Sequence, residues 1–423
     1  MLTLCATFVF FLLGTPSLKL LLLARFAHFS KELLRMCGII RTFASVKSNT
    51  TTKDMTNGTF LALLRFSLGI DENFPYRPTA EEWGKLYACA RRQSLVGVTY
   101  CGVSRLSEEA QTEIPQQIAM QWAYDAEVIA GNNDLQNHKA ARLTTDFEQY
   151  GHHTVILKGQ ANARLYPNPL SRQPGDIDIY VDGGSERAEA TLKALGMADG
   201  AVNNEMHHIH LLPDADGIEV EVHFMPFAGN FNPETNQRLR TYLLQQLASG
   251  TELCDAGFRI PSTAFALAMQ LAHISRHILE GGVGLRQVTD YYLLLRSATD
   301  DERRQLAAKV EELGLRHVAK ALMWVLAKVF RLPKEKMLVK PDSWRGRWLL
   351  HRILGGGNFG WYAKPRSFDG AWNRFYGGRR YAFSRIWFCP EESHNLMREE
   401  RHYWWNLFVT IPQRIRNRSL TIN

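Results

Sequence analysis

The chain has 423 residues, of which 45% are hydrophobic and 11% aromatic, and this composition indicates a globular protein with two or three domains. Its formal net charge of +8 suits a polyanionic ligand such as a nucleotide, a nucleic acid or an acidic membrane surface, without choosing among them. Six scattered cysteines without a Cys-x-x-Cys pair fit neither a zinc site nor a disulfide framework, and they favour a reducing compartment.

The start of the chain is apolar. Residues 2–24 form an interrupted apolar run, for which a signal anchor is one interpretation, although no Lys or Arg precedes it. Residues 41–57 are polar and rich in Ser and Thr, as in a linker. We favour a natural start at Met55, which makes residues 1–54 an upstream extension of the reading frame, because a helical pattern begins at residue 59.

Residues 59–150 have a helical pattern. Apolar residues recur there every three or four positions, as on the buried face of a helix. The Gly-Asn-Asn sequence at residues 131–133 predicts a turn that divides this segment. Since the segment contains no catalytic grouping, we expect a helical bundle that packs against the part that follows.

Strands and helices alternate over residues 155–224, which predicts a small mixed sheet with helices on it. We expect the strands at residues 155–157, 175–181, 206–211 and 218–224, and the helices at residues 160–166 and 185–195.

The strand at residues 175–181 carries two carboxylates. Period-2 alternation places Asp176 and Asp178 on one face and Ile177 and Ile179 on the other. Neighbouring carboxylates repel each other, and burying them is unfavourable unless a cation or hydrogen-bond donors neutralise them. The pair therefore indicates a metal site.

The strand at residues 218–224 offers a third carboxylate. Glu219, Glu221 and His223 share one of its faces, and either glutamate reaches the aspartates if the two strands lie side by side. Three carboxylates with phosphate oxygens and water suit Mg²⁺, which prefers hard oxygen ligands, and such a set holds one or two ions. The pattern predicts a metal centre for phosphoryl transfer.

Several histidines have two interpretations each. His208 and His210 share a face of the strand at residues 206–211, where neutral imidazoles bind phosphate, act as a general base or serve a structural role. His273 and His277 have zinc-ligand spacing on a helix, but Ile274 stands where an HExxH motif needs glutamate. We interpret the second pair as part of a structural or nucleotide-contacting network.

The rest of the chain is helical, with predicted helices at residues 261–279, 285–296 and 301–330. From residue 343 onward the sequence is rich in Trp, Tyr and Arg. These residues suit either a basic aromatic surface for membrane headgroups or nucleic acid, or a helical core with solvated arginines. We favour the helical core because no clean apolar face opposes a continuous basic one.

Three stretches resemble the DNA polymerase beta-like nucleotidyltransferase superfamily, and within it a branch of uncharacterised bacterial nucleotidyltransferases. Leu157-Lys158-Gly159 resembles the turn after the first strand, Gly175-Asp176-Ile177-Asp178-Ile179 the Asp-x-Asp strand, and Glu221-Val222-His223 the acidic-x-His ending. The resemblance covers residues 55–296. Further matches are Arg172, His207-His208-Ile209-His210, His273, His277, Gly284-Leu285-Arg286 and Asp290.

The resemblance implies an α+β fold with a small mixed-sheet catalytic domain flanked by helical segments. It also implies transfer of a nucleoside monophosphate from a nucleoside triphosphate such as ATP to an acceptor hydroxyl, with Mg²⁺ or Mn²⁺ as the cofactor. The implied metal ligands and catalytic residues are Asp176, Asp178 and Glu221, of which Glu221 is preferred over Glu219 by its match to Glu-x-His. The implied nucleotide-binding residues are Lys158, Gly159, Arg172, His208, His210 and His223.

The sequence leaves rival interpretations. Many members of the superfamily have Ser or Gly after the turn glycine, and the larger Gln160 favours a catalytically inactive member that binds a nucleotide or a protein. Arg172 suits a loop-carbonyl cap as well as a nucleotide contact. The acceptor stays open among small molecules, saccharides, proteins and nucleic acids. We expect a cytoplasmic protein, membrane-associated if residues 2–24 are a genuine anchor, and we do not favour a membrane-surface partner.

We divide the chain into five segments on this basis. They are the extension at residues 1–54, an N-terminal helical segment at 55–150, the nucleotidyltransferase core at 151–230, a helical domain at 231–335 and a basic, aromatic-rich helical segment at 336–423.

Overall fold

The protein is described here from a computed structural model, which covers residues 51–197, 201–204, 207–213, 215–363 and 371–416. Nearly all of the predicted extension at residues 1–54 lies outside the described residues. The described residues from 56 onward belong to one compact unit, and the segment boundaries at residues 151, 231 and 336 stay predictions.

The first described part is helical, as predicted. Its helices are α1 (Thr51–Ser67), α2 (Ala80–Gln93), α3 (Val96–Val103), α4 (Glu108–Thr112) and α5 (Gln116–Gln149). A capping box fixes the start of α2, because the Thr79 hydroxyl accepts from the Glu82 backbone N–H and the Glu82 carboxylate accepts from the Thr79 backbone N–H. Helix α5 spans 34 residues and buries Trp122.

The predicted turn at residues 131–133 is wrong, because α5 runs through it without interruption. Asn133 is buried, and its side-chain amide donates to the carbonyl of Ile129 one turn back and to the carbonyls of Leu170 and Arg172. Tertiary hydrogen bonds therefore outweigh the local turn preference of the Gly-Asn-Asn sequence.

A five-stranded mixed sheet follows, and the α+β class is confirmed. The strands are β1 (Thr154–Ile156), β2 (Ile177–Val181), β3 (Ala201–Asn204), β4 (His208–Leu211) and β5 (Val220–His223), in the order β1-β2-β5-β4-β3. The β2–β5 pair is parallel, and the other pairs are antiparallel. Four of the strands were predicted within a few residues of their ends, whereas β3 was not predicted.

Two helices accompany the sheet. Helix α6 (Gln160–Ala163) is shorter than the predicted helix at residues 160–166, and α7 (Gly184–Ala194) agrees with its prediction. One face of the sheet packs against α5 and α7 through a buried apolar cluster. Its members are Ala140, Leu143 and Phe147 of α5, Ala188 and Leu192 of α7, and strand residues that include Ile177, Ile179, Val220, Val222 and Ile209. The opposite face carries the polar side chains of β2, β4 and β5.

The remainder is helical apart from a hairpin formed by β6 (Thr251–Leu253) and β7 (Arg259–Pro261). Its helices are α8 (Pro233–Ser249), α9 (Thr263–Glu280), α10 (Leu285–Ser297), α11 (Asp300–Lys309), α12 (Arg316–Phe330), α13 (Ser343–Gly356), α14 (Ala371–Phe388) and α15 (Ser393–Arg416).

The predicted single helix at residues 301–330 is wrong, because it is divided into α11 and α12. The chain passes through Gly314 at φ +72°, a left-handed conformation that favours glycine, and then re-enters helix. Helices α9, α10 and α12 are largely buried and form the centre of the larger apolar core.

In the part of the chain that the structure describes, none of the helices combines the length and apolar character needed to cross a membrane.

Candidate functional site

The parallel pairing of β2 with β5 places two predicted site residues side by side. Asp178 lies opposite Glu221 in the register, so the condition under which a third carboxylate reaches the aspartates is met. Glu219, the rival for the third carboxylate, precedes β5 and is exposed, and its main-chain carbonyl accepts from the Ile177 N–H. The fold therefore brings Glu221, rather than Glu219, to the aspartates.

Asp178 is the most enclosed carboxylate of this group, with 2% of its surface exposed. Its Oδ1 accepts a hydrogen bond of 3.0 Å from His223 Nε2, and its Oδ2 forms an ion pair of 2.9 Å with Lys158 Nζ. Burial and the nearby Asp176 charge raise the pKa of Asp178, whereas Lys158 and His223 oppose that rise. The positive charges of Lys158 and His223 thus favour the ionised form of Asp178.

Asp176 lies one residue before β2 and is partly exposed. Its Oδ2 is 3.5 Å from Lys158 Nζ, and this ammonium lowers the pKa of the Asp176 carboxyl. Lys158 follows β1 and reaches both aspartates. Burial alone lowers the pKa of Lys158, but Asp178 and Asp176 outweigh it and raise the pKa above its usual value. Lys158 therefore neutralises the carboxylates that were predicted to bind metal.

His223 contacts two carboxylates of the group, those of Asp178 and Glu221. Its Nε2 lies 3.0 Å from Asp178 Oδ1 and 3.2 Å from Glu221 Oε2. Burial lowers the pKa of His223, but these two hydrogen bonds outweigh it and raise the pKa to about 9. Burial raises the pKa of Glu221, yet His223 and Lys158 bring it down to about 2. The imidazolium is thus a second counter-ion.

Asp178, Glu221 and His223 each place a potential ligand atom within 4.8 Å of those of the other two. This geometry defines a group able to hold a metal ion. Asp178 Oδ2 is buried, and a cation, Lys158 Nζ, lies 2.9 Å from it. A buried carboxylate oxygen that faces a cation also suits a divalent ion, because such ions bind through carboxylate oxygens.

The turn after β1 positions Lys158. Gly159 has φ +61°, so a side chain there is strained, and a Cβ atom added to it lies 3.6 Å from the Asp176 carbonyl oxygen. Gln160 is 3% exposed, and its amide donates to Asn133 Oδ1 at 3.0 Å and to Asn137 Oδ1 at 3.4 Å. The large side chain of Gln160 is thus buried against α5.

A family model described as "Uncharacterised nucleotidyltransferase" matches residues 79–331, more than half of the chain. The chain belongs to this nucleotidyltransferase family. Neither the curated proteins nor the solved structures include a significant match. The match spans all strands of the sheet and both helical regions beside it, so the acidic cluster lies within the nucleotidyltransferase region.

Arg172 of this nucleotidyltransferase lies in the loop before β2 and is 5% exposed. Its Nε donates to Asp290 Oδ1 and its Nη2 to Asp290 Oδ2, both at 2.8 Å. The Oδ1 atom also accepts from the Tyr166 hydroxyl at 2.7 Å. Arg172 Nη1 donates to the Gln173 carbonyl at 3.3 Å, which is the loop-cap role that the sequence left open. The pair fixes the loop that delivers Asp176, and a nucleotide contact of Arg172 stays a prediction.

Arg286 supports the same loop from α10. Its Nη1 donates to the carbonyls of Gln173 at 3.0 Å and Pro174 at 3.4 Å. Burial and the neighbouring Arg172 lower the pKa of Arg286 to about 10. Across the loop, the Gln136 amide of α5 donates to the Gly175 carbonyl. The residues ahead of the acidic strand are therefore held from both sides.

The histidines divide into two groups. His208 is 8% exposed, and its Nε2 lies 3.8 Å from Glu221 Oε1, while His210 lies opposite Glu221 in the antiparallel register. His273 and His277 face each other on α9 with their Nε2 atoms 2.9 Å apart. Burial and the Lys158 charge lower the pKa of His277 to about 4, so it is a neutral imidazole near the site.

Sequence reasoning missed two features. The first is the set of buried amides Asn133, Gln136 and Gln160, which fix the turn and the loop; nothing in their local pattern distinguishes them from surface amides. The second is the contact of His207, which matched the family but was given no role: its Nε2 lies 2.8 Å from His208 Nδ1. Strand alternation places consecutive side chains on opposite faces, but His207 lies just before β4 and escapes that rule.

Proposed function

We propose that this family member is a metal-dependent nucleotidyltransferase. It transfers a nucleoside monophosphate from a nucleoside triphosphate to an acceptor hydroxyl and releases pyrophosphate. The observation that carries the proposal is the juxtaposition of Asp178 and Glu221 on parallel strands, with Asp176 at the start of the same strand as Asp178. A buried acidic group of this kind has a physical reason to exist when a cation binds to it.

Asp176, Asp178 and Glu221 are the proposed ligands of Mg²⁺ or Mn²⁺. Such an ion, when bound, neutralises phosphate charge and lowers the pKa of the attacking hydroxyl. His223 acts behind these ligands. Its hydrogen bonds to Asp178 and Glu221 orient both carboxylates and leave their remaining oxygens for the ion.

Lys158 and a metal ion compete for the same carboxylates. Lys158 Nζ contacts Asp178 and Asp176 in this structure, and its ammonium would be repelled by a divalent ion held on those oxygens. We infer that Lys158 would then turn from the aspartates to the triphosphate, for which its place beside the Gly159 turn suits it. The burial of Gln160 against α5 removes the steric argument against this turn as a phosphate site.

The remaining residues have supporting roles. Arg172 holds the loop before β2. We propose that it supports nucleotide binding indirectly, by fixing that loop. His208 and His210 lie on the strand beside Glu221.

In the transfer step the acceptor oxygen bonds to the α-phosphorus, the bond from that phosphorus to the pyrophosphate oxygen breaks, and the hydroxyl proton passes to a base. We propose the partly exposed His210 for that role.

The test is a screen of labelled nucleoside triphosphates with Mg²⁺ or Mn²⁺ against cell extract, with the label followed into protein, nucleic acid and small molecules. We expect the wild type to label one of these fractions and Asp178→Asn to abolish the labelling. Glu219→Gln is the matched control, because it removes an exposed carboxylate that directly precedes β5, the strand paired with that of Asp178. Full labelling by Asp178→Asn contradicts the proposal.

A second candidate function has one observation in its favour. The ion pairs of Lys158 already neutralise charge on both aspartates without a metal, as expected of a nucleotide-binding member that has lost catalysis. Calorimetric titration separates the two. Binding of a triphosphate that is unaffected by Mg²⁺, together with no labelling in any fraction, supports the inactive member.

A further inference from the structure

Three imidazoles form a group beside the carboxylates. His207, His208 and His223 each place a ring nitrogen within 4.8 Å of a ring nitrogen of the other two. Their ring centroids are 4.3 Å apart for His207 and His208, 5.1 Å for His208 and His223, and 5.5 Å for His207 and His223. The proposed nucleotidyl transfer uses only His223 of this group as a support for its metal ligands.

The backbone holds the three residues in place. His208 lies opposite His223 in the antiparallel β4–β5 pair, so their side chains are neighbours on one face of the sheet. His207 precedes β4, and its carbonyl accepts from the N–H groups of Phe224 and Met225 at 3.1 and 3.2 Å. His208 and His223 are 8% and 5% exposed. His208 and His223 thus belong to the sheet, and backbone hydrogen bonds hold His207 next to it.

The two nitrogens of each strand histidine have different surroundings. His223 Nε2 contacts Asp178 and Glu221, whereas its Nδ1 is buried and has no hydrogen-bond partner among the described residues. His208 Nε2 lies 3.8 Å from Glu221 Oε1, whereas its Nδ1 lies 2.8 Å from His207 Nε2. Histidines that bind metals commonly give one ring N–H to a carboxylate and the other nitrogen to the ion. The protonated His223 therefore releases its Nδ1 proton when an ion binds there.

We infer that His207, His208 and His223 bind a transition-metal ion of the Zn²⁺ class, at a site separate from the carboxylate site assigned to Mg²⁺. Imidazole nitrogen favours Zn²⁺, Co²⁺ or Ni²⁺ over Mg²⁺, which prefers oxygen ligands. Three histidines leave a fourth tetrahedral position for water or a substrate oxygen. The inference does not rest on nucleotidyl transfer, because the metal-binding set stands on its own geometry.

The distances suit such an ion after a small adjustment. Zn–N bonds of about 2.0–2.1 Å in a tetrahedral arrangement separate the ligand nitrogens by about 3.3 Å. The contact of 2.8 Å between His207 and His208 must open by about half an ångström, and nitrogens at the 4.8 Å limit must close by about 1.5 Å. Rotation of the partly exposed His207 ring supplies the first movement.

The test measures metal binding directly, on untagged full-length protein stripped with a chelator. Co²⁺ is the first probe, since its visible absorption reports nitrogen ligation and coordination number, and Zn²⁺ is then used to displace it. We expect one Co²⁺ per chain in the presence of millimolar Mg²⁺. His207→Ala and, as the more conservative change, His207→Gln are expected to weaken Co²⁺ binding by at least tenfold, and His208→Ala likewise.

Two controls make the result specific. His138→Ala removes an exposed histidine of α5 and reports adventitious surface binding. Asp176→Asn removes a proposed Mg²⁺ ligand, so retained Co²⁺ binding with lost labelling separates the two sites. Circular dichroism confirms that each variant is folded. Absence of stoichiometric Co²⁺ binding by the wild type, or equal binding by His207→Gln and the wild type, overturns the inference.

Discussion

Lys158 Nζ lies 2.9 Å from Asp178 Oδ2, so a buried cation of the protein itself occupies the place where a metal ion is expected to act. Lys158 also lies 3.5 Å from Asp176. The single ammonium of Lys158 therefore lowers the free-energy cost of placing both carboxylates in the sheet when no other cation is bound. Removal of this lysine separates its structural role from its proposed contact with phosphate.

We expect Lys158→Met to lower the free energy of unfolding by about 3–5 kcal/mol in the presence of a chelator, because it leaves buried carboxylates without their partner. Added Mg²⁺ should recover part of that loss and should stabilise the variant more than the wild type. Thermal melts with and without Mg²⁺ measure both effects. Lys85→Met, which disrupts a solvent-exposed pair with Glu81, is the control; an equally small change in both variants contradicts the prediction.

The pair between Arg172 and Asp290 yields a second prediction. Arg172→Lys retains the charge but cannot reproduce two parallel hydrogen bonds of 2.8 Å at a buried carboxylate, and we expect a loss of about 2–4 kcal/mol of unfolding free energy. Chemical denaturation measures it. Arg304→Lys changes an exposed arginine paired with Asp301 and should cost less than about 0.5 kcal/mol. A similar loss of unfolding free energy in the two variants is inconsistent with a structural role of Arg172.

Gln160 allows a test of the phosphate turn. Gln160→Ser introduces the small residue common in the superfamily, but it also removes a buried amide that donates to Asn133. We expect about 1–3 kcal/mol of destabilisation and no tighter binding of triphosphate, because the Gln160 side chain is buried away from the turn's outer surface. Denaturation and nucleotide titration measure the two quantities. Tighter nucleotide binding with unchanged stability shows that Gln160 obstructs the turn.

Glu392 gives a prediction about pH. It is 2% exposed, and burial raises its pKa from 4.5 to about 7. The folded state therefore keeps this proton up to about pH 7, whereas the unfolded state loses it near pH 4.5. Between these values the unfolded state binds fewer protons, so the free energy of unfolding falls as pH rises, by at most about 1.4 kcal/mol per pH unit from this group.

Denaturation curves of the wild type and Glu392→Gln between pH 4 and 8 check this prediction. The difference in unfolding free energy between the two should change over the window from pH 4.5 to 7 and be level on either side. Glu335→Gln, at an exposed position, should show no such window. A pH-independent difference for Glu392→Gln contradicts burial as the cause of the raised pKa.

Local pattern predicted much of the sheet and of the acidic group. The alternation in residues 176–181 and 218–224 assigns Asp178, Glu221 and His223 to the polar faces of two strands, and the structure places these faces together. The parallel pairing itself was only a condition, since period-2 alternation carries no information about which strands become neighbours. Alternation alone does not separate Glu221 from Glu219, because both share a face in an ideal strand; the family resemblance favoured Glu221, and the register places Glu221 opposite Asp178.

The features that were not predicted depend on contacts between distant residues. Asn133 continues α5 through an apparent turn because its amide finds carbonyls 37 and 39 residues away. The positions of Gln160 and His207 depend likewise on side chains that the sequence does not mark as partners. Short-range propensity is a weak predictor at such positions, where tertiary hydrogen bonds decide the conformation.

Helix α5 also limits how this protein can change in length. Asn133 near the middle of the helix binds the loop ahead of the acidic strand, while Ala140, Leu143 and Phe147 support the underside of that sheet. One residue inserted between Asn133 and Ala140 turns one half of the helix by about 100° relative to the other. The two attachments then cannot be satisfied together, so insertions that exposed loops accommodate should be excluded from this stretch in natural variants.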